Sequence, residues 1–217
     1  MKELYSQVLE LFYDPESARE LVQHPHNGGG RTWATTGTTL VSVPTIGEYP
    51  EDQFETIRTI LEHPNTNIKI DLQQLRDWID DIPVKKVNNN VVTCDACDGF
   101  GEVDYVFEHD GEEYTLEADC PVCDGQGTYE DEENPDWENV IETRFLKMYG
   151  QYYICDSIKK LVDAADILKE TECTITFIEN VRRPTTFKIG ECEIYLMSAN
   201  RECINAEDID EYNDTHN

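Results

Sequence analysis

One eight-residue pattern, Cys-x-x-Cys-x-Gly-x-Gly, limits what this 217-residue chain can fold into more than anything else in it. It occurs twice, as Cys94-Asp95-Ala96-Cys97-Asp98-Gly99-Phe100-Gly101 and as Cys120-Pro121-Val122-Cys123-Asp124-Gly125-Gln126-Gly127. Two residues between cysteines let one tight turn present both sulfurs to a single cation. Two such turns complete a tetrahedral four-sulfur set. The glycines suit a turn wrapped around a metal, where positive φ and close backbone approach are needed. The sequence therefore predicts one structural zinc ion per chain, held by Cys94, Cys97, Cys120 and Cys123. Catalytic zinc fits poorly, because such sites keep an open position and commonly use His or a carboxylate.

The residues between the two pairs read as a β-hairpin. Val103, Tyr105 and Phe107 alternate with Glu102, Asp104 and Glu108, and after Asp110-Gly111 the residues Tyr114, Leu116 and Ala118 alternate with Glu113, Thr115 and Glu117. That is one apolar face with an Asp-Gly turn at the tip, and it returns the second cysteine pair beside the first. His109 falls at the tip, the wrong end for a ligand. So small a module buries too little to fold alone, and a metal would supply the deficit. A two-stranded hairpin seldom leaves its only apolar face wet. Tyr105, Phe107, Tyr114 and Leu116 are therefore expected to pack on the rest of the chain, leaving the acidic side for a partner.

Charge sets this stretch apart. The chain carries 46 acidic and 17 basic side chains, a formal net charge of -29, and residues 94–140 contain 17 of the acids and no Lys or Arg. A compositional break of that size predicts an insertion. The expected organisation is a discontinuous scaffold of residues 1–92 and 141–205, an inserted acidic zinc-binding module at 93–140, and a loose acidic tail at 206–217. The average surface would repel phosphate backbones and anionic lipid, so direct nucleic-acid binding and membrane binding are not expected. The partner this charge suits is another protein with a basic face.

Met1-Lys2-Glu3-Leu4-Tyr5 lacks the pattern of a secretory signal, and no apolar run approaches the roughly 20 residues that span a bilayer. The expected location is a reducing cytoplasm, where eight cysteines are thiols or metal ligands rather than disulfides. Cys155, Cys173, Cys192 and Cys203 read as small buried hydrophobes.

Outside the module the periodicities alternate between helix and strand. Leu4 to Phe12 has helical spacing, and Asp14-Pro15 should start a second helix to Gln23. Asn27-Gly28-Gly29-Gly30 is a turn without the context of a phosphate loop. Arg31 to Val43 predicts two strands joined near Thr36-Gly37. Helices are expected over Glu51–Glu62, Asp71–Ile82 and Tyr153–Leu168, and strands over Thr143–Met148, Cys173–Ile178, Thr185–Ile189 and Cys192–Met197. The fold class is α+β, with helices packed on an antiparallel sheet.

Two resemblances follow from these residues. The paired Cys-x-x-Cys-x-Gly-x-Gly motifs resemble half of the cysteine-rich zinc domain of DnaJ-type chaperones, in which four repeats bind two zincs. The resemblance implies zinc binding and a role in protein contacts. It covers about residues 94–127 and comes without a J-domain His-Pro-Asp. The order around the insert, with Leu4–Phe12, the hairpin Trp33–Leu40, the helix Tyr153–Leu161 and the strands Thr174–Phe177 and Glu193–Met197, is similar to one repeat of a bacterial DNA sliding clamp. A clamp ring needs several repeats and basic helices, whereas Lys159-Lys160 and Arg182-Arg183 are the local positive charge on offer here.

For an enzyme, the chain contains no Gly-x-Ser-x-Gly, no His-Glu-x-x-His and no phosphate loop. The leading reading is a non-enzymatic, zinc-binding protein-interaction protein. The alternatives are a clamp-like accessory protein of DNA replication or repair, and an acidic mimic of DNA.

Overall fold

The computed structural model describes residues 1–51, 68–176 and 184–212, which fall into two compact units: Met1–Ile82 with Thr143–Asn217, and Pro83–Glu142. The helix expected over Glu51–Glu62 and the charged pair Arg182-Arg183 lie outside the described residues.

The larger unit is built on a seven-stranded sheet in which all neighbours are antiparallel. Its order is His26–Gly28, Arg31–Thr35, Thr39–Pro44, Cys192–Leu196, Thr185–Ile189, Glu172–Thr176 and Ile68–Asp71. Three helices, α1 (Lys2–Glu10), α3 (Leu72–Asp81) and α4 (Cys155–Leu168), supply the layer that packs with it; α2 (Glu20–Gln23) is a single turn. Side chains alternate between the two faces of the sheet, and both faces of its middle are covered, so residues 32–35 and 39–43 are buried without a break. Ala34, Val41, Val43, Ile70, Ile175, Phe187 and Ile194 share one core with Val8 and Leu9 of α1, Leu72 and Leu75 of α3, and Ile158 and Leu161 of α4. Trp33, Leu40 and Tyr195 form a smaller cluster, with the His26 ring stacked 4.6 Å from that of Trp33. Asp71 caps α3 by accepting from the Gln73 N–H at 2.8 Å, an interaction worth about 1 kcal/mol. Arg76 of α3 pairs with Asp166 of α4.

Four expectations need correction. The second helix does not run from Pro15. The Asp14 side chain accepts from the Glu16 N–H, and the Ser17 hydroxyl accepts from the Arg19 N–H, so local turns hold these residues until Glu20. Cys203 is exposed, because it closes the 3-10 turn Arg201–Cys203 at the surface; Cys155, Cys173 and Cys192 are buried. Burial pushes the Cys173 and Cys192 thiols up to about 12, which leaves them unreactive at neutral pH.

The tail is the third correction. Ile209–Glu211 is a strand, parallel to Phe145–Met148, which pairs in turn with Gln151–Ile154. Matched charges hold it there. The Arg144 guanidinium donates to both Asp210 carboxylate oxygens, the Trp78 Nε1–H donates to the same group at 3.0 Å, and Lys147 pairs with Glu211 at 2.6 Å.

The smaller unit consists of three two-stranded antiparallel ribbons: Val84–Asn88 with Trp137–Ile141, Val91–Thr93 with Thr128–Glu130, and Glu102–His109 with Glu112–Asp119. Asn88 is buried and ties the loop between them. Its amide N–H donates to the Asp131 carbonyl at 2.9 Å, and its amide oxygen accepts from the Asp136 N–H at 2.9 Å. The fourth correction concerns the longest ribbon. Tyr105 is 46% exposed, Phe107 57%, Tyr114 42% and Leu116 61%. A two-stranded ribbon has no second layer of its own. Of its apolar face, Val103 at the base packs against the cysteines.

Partial burial works against a charge on Asp210, but Arg144 and Trp78 outweigh it and hold its carboxyl below the ordinary range. A lowered carboxyl stabilises the folded state above its unfolded value, about 3.9. That contribution disappears as pH falls through the lowered one. Residues 209–212 are therefore expected to lose amide-exchange protection below about pH 4, ahead of the seven-stranded sheet. Asp210→Asn should reproduce this at neutral pH. Unchanged protection in both cases would show that the strand is held by other contacts.

Candidate metal centre

The two motifs fold into superimposable turns because their hydrogen bonds repeat residue for residue. The Gly99 N–H donates to the Cys94 carbonyl at 3.0 Å and the Gly125 N–H to that of Cys120 at 3.2 Å. The Phe100 N–H donates to Cys97 at 2.9 Å and the Gln126 N–H to Cys123 at 3.0 Å. Each turn then points a glycine N–H at sulfur, Gly101 to Cys97 Sγ at 3.3 Å and Gly127 to Cys123 Sγ at 3.1 Å. The turns also clasp each other, with the Cys94 N–H donating to the Gly127 carbonyl at 2.8 Å and the Cys120 N–H to the Gly101 carbonyl at 2.7 Å.

At the clasp the glycines are required by space and by conformation. Gly101 and Gly127 have φ of 80° and 75°. A Cβ on Gly101 would lie 2.3 Å from the Gly125 oxygen, and one on Gly127 would lie 2.3 Å from the Gly99 oxygen. No rotamer change relieves a backbone clash, so a larger residue at either position drives the turns apart.

The result is four buried cysteines whose sulfurs all lie within 4.8 Å of one another. Cys94 Sγ and Cys120 Sγ are 3.9 Å apart, Cys97 Sγ and Cys123 Sγ 3.7 Å. Disulfide sulfurs would be about 2.05 Å apart, and all four cysteines are free thiols. Sulfurs arranged tetrahedrally at about 2.3 Å from a zinc ion stand about 3.8 Å from each other, close to the separations of the Cys94–Cys120 and Cys97–Cys123 pairs. The donor set could hold one metal ion. Burial pushes the Cys94 thiol up to about 11. At Cys97 burial is outweighed by the Gly101 N–H and by the thiols of Cys94 and Cys123, which bring it down to about 7. A cation bound among the four sulfurs would favour their thiolate forms.

All four sequence-derived candidates converge. His109 sits with Asp110 at the far end of the eight-residue strands, roughly 25 Å along the ribbon. The sequence reading missed Asn88 and its neighbours, which brace the loop leaving the second turn. The run Asn88-Asn89-Asn90 was the available signal, since asparagines bond readily to nearby backbone. Lys159 and Lys160, offered as local positive charge, are paired with Asp163 and Asp156 on their own helix.

No family model matches the sequence, and no curated protein does. The resemblance to chaperone zinc repeats thus rests on the motif residues alone. Solved structures similar to this chain include a putative DNA polymerase III beta subunit from Eubacterium rectale, with a TM-score of 0.44 and 6% identity over 95% of this chain and 66% of that one. The DNA polymerase III beta chain of Streptococcus pneumoniae has a TM-score of 0.46 and 9% identity over 95% of this chain and 65% of that one. A DNA polymerase sliding clamp from Pseudomonas aeruginosa has 0.47 and 9% over 92% and 63%. This chain spans less than two thirds of the length of each. The likeness is one of layout, a mixed α+β chain with mostly antiparallel sheets, and it assigns no activity.

Gly101→Ala and Gly127→Ala should each weaken metal binding by about 10–100-fold, the range seen when groups supporting metal ligands are lost. Competition with a chromophoric chelator reads the change directly. An alanine variant with unaltered affinity would show that the clasp does not set the sulfur positions.

Proposed function

We propose that this chain is a non-enzymatic protein-interaction protein of a reducing cytoplasm, in which one zinc ion held by Cys94, Cys97, Cys120 and Cys123 staples an acidic module. The observation that carries the reading is the set of four buried sulfurs within 4.8 Å of one another. Thiolates of this kind favour zinc among the common divalent ions. When bound, zinc supplies the positive charge that lets four buried thiolates coexist, and the folding free energy that three thin ribbons lack. A closed four-sulfur set leaves no position for a water or a substrate, which suits a structural ion. The glycine N–H groups at Cys97 and Cys123 would steady the sulfur charge.

The charge distribution supports a protein as partner. A module with 17 carboxylates and no Lys or Arg across residues 94–140 repels phosphate and attracts basic protein surfaces. The DNA-directed readings fit less well. Encircling DNA needs a basic inner surface, and a charge mimic of DNA has no need of zinc.

Metal analysis of the native protein should return about one zinc per chain. A pull-down from the same preparation should lose its partner on chelation and regain it on adding zinc back. Cys97→Ser and Cys120→Ser should unfold residues 83–142 while the seven-stranded sheet persists. A partner retained after chelation would reduce the module to a structural staple. A single cooperative melt of everything in the serine variants would contradict independent units.

A further inference from the structure

Exposed apolar surface is concentrated in one part of this molecule. Among the described residues, eleven of the thirteen large apolar side chains open to solvent belong to Pro83–Glu142. Exposed apolar patches rimmed by polar groups commonly mark contact surfaces. Four of these side chains share one face of the longest ribbon, because the register sets Tyr105 opposite Leu116 and Phe107 opposite Tyr114. The Phe107 and Tyr114 rings are stacked, 5.2 Å between centroids and 16° from parallel. Stacked in this way, they present a broad apolar surface that a partner could cover.

The reverse face is mostly acidic, apart from Val106 opposite Thr115. Glu102 faces Asp119, Asp104 faces Glu117 and Glu108 faces Glu113, an arrangement of like charges that destabilises a ribbon on its own. The strain is felt at Glu102, whose carboxyl is raised by its hydrogen bond to Glu117 and by the charges of Glu117 and Asp119. A ribbon with a wet aromatic face and a self-repelling acidic face gains on both sides from one kind of ligand.

We propose that the face formed by Tyr105, Phe107, Tyr114 and Leu116 docks a basic amphipathic segment of another protein. The inference rests on the interaction reading above and names the docking face and its occupant. Apolar residues of the segment would cover the platform. Its Lys and Arg side chains would reach round a ribbon only two strands wide, the strands about 5 Å apart, to the carboxylates behind. A second copy of this chain is a poor occupant, since face-to-face pairing would bring together two stretches with 17 acids each and no cation between them. Nucleic acid and anionic lipid meet the same repulsion.

The test uses the zinc-loaded full chain and labelled synthetic peptides, read by fluorescence anisotropy. An amphipathic Lys/Leu peptide should bind at least about tenfold more tightly than a Lys/Ser peptide of equal charge, and a Glu/Leu peptide should not bind. Replacing Phe107→Thr together with Leu116→Thr keeps strand preference and should remove that advantage, leaving the weak Lys/Ser binding unchanged. Unaltered zinc content and an unaltered four-thiolate absorption band after cobalt substitution establish that the variant is folded. If they change, Tyr105→Thr serves as the milder variant with the same expectation.

Equal binding of the Lys/Leu and Lys/Ser peptides, or binding insensitive to the threonine variants, overturns the proposal. So does a concentration-dependent dimer in sedimentation that the variants abolish, which would give the face to a second copy. Either result leaves a chelator-sensitive partner standing. Loss of that partner's zinc dependence would instead reduce the module to a structural staple.

Discussion

Four sulfurs confined within 4.8 Å are the constraint on which the smaller unit depends. As neutral thiols they are weak hydrogen-bonding groups with little reason to be held so close. As thiolates they repel one another in a buried space. A divalent cation resolves the conflict, and the backbone is arranged for that outcome. Two turns with the same bonding pattern meet carbonyl to N–H, and glycines stand where a single Cβ would prevent the meeting. The ribbons beyond the cysteines bury so little that their position is set by this junction rather than by packing.

The larger unit obeys a different economy. Its helices and sheet hold each other through a continuous apolar core, and its cations are spent on specific anions. Arg144 and Lys147 hold the strand Ile209–Glu211, and Arg76 joins two helices. With so few basic residues in the sequence, each such pairing removes positive charge from the surface. That leaves the net charge of the surface strongly negative.

Local information was legible in the sequence, and long-range information was not. The cysteine turns could be read because spacing, glycine position and metal geometry all lie within eight residues. The hairpin followed from alternation on either side of Asp110-Gly111, broken only at Val106, and α1, α3 and α4 from apolar spacing. The pairing of Val84–Asn88 with Trp137–Ile141 was invisible because its partners lie far apart in sequence and neither shows a clean alternation. The tail looked like solvated acid because its anchors, Trp78, Arg144 and Lys147, are supplied by distant segments. The exposed aromatic face was misjudged for a related reason. Alternation reveals that a face is apolar but not whether anything in the same chain is available to cover it.

The pairing at the ends of the smaller unit has a consequence for assembly of the larger one. The big sheet interleaves segments that precede and follow residues 83–142, so it cannot close until both flanks meet. An unstructured insert of 60 residues would make that meeting a long-loop closure. Here the Glu142 N–H donates to the Pro83 carbonyl at 2.8 Å, and the strands behind it zip the two ends together. Once those ends are paired, the flanks behave as though joined by a short connector, a saving of about 2 kcal/mol in chain entropy. The insert is thereby a clip that brings two distant stretches of chain within reach of each other.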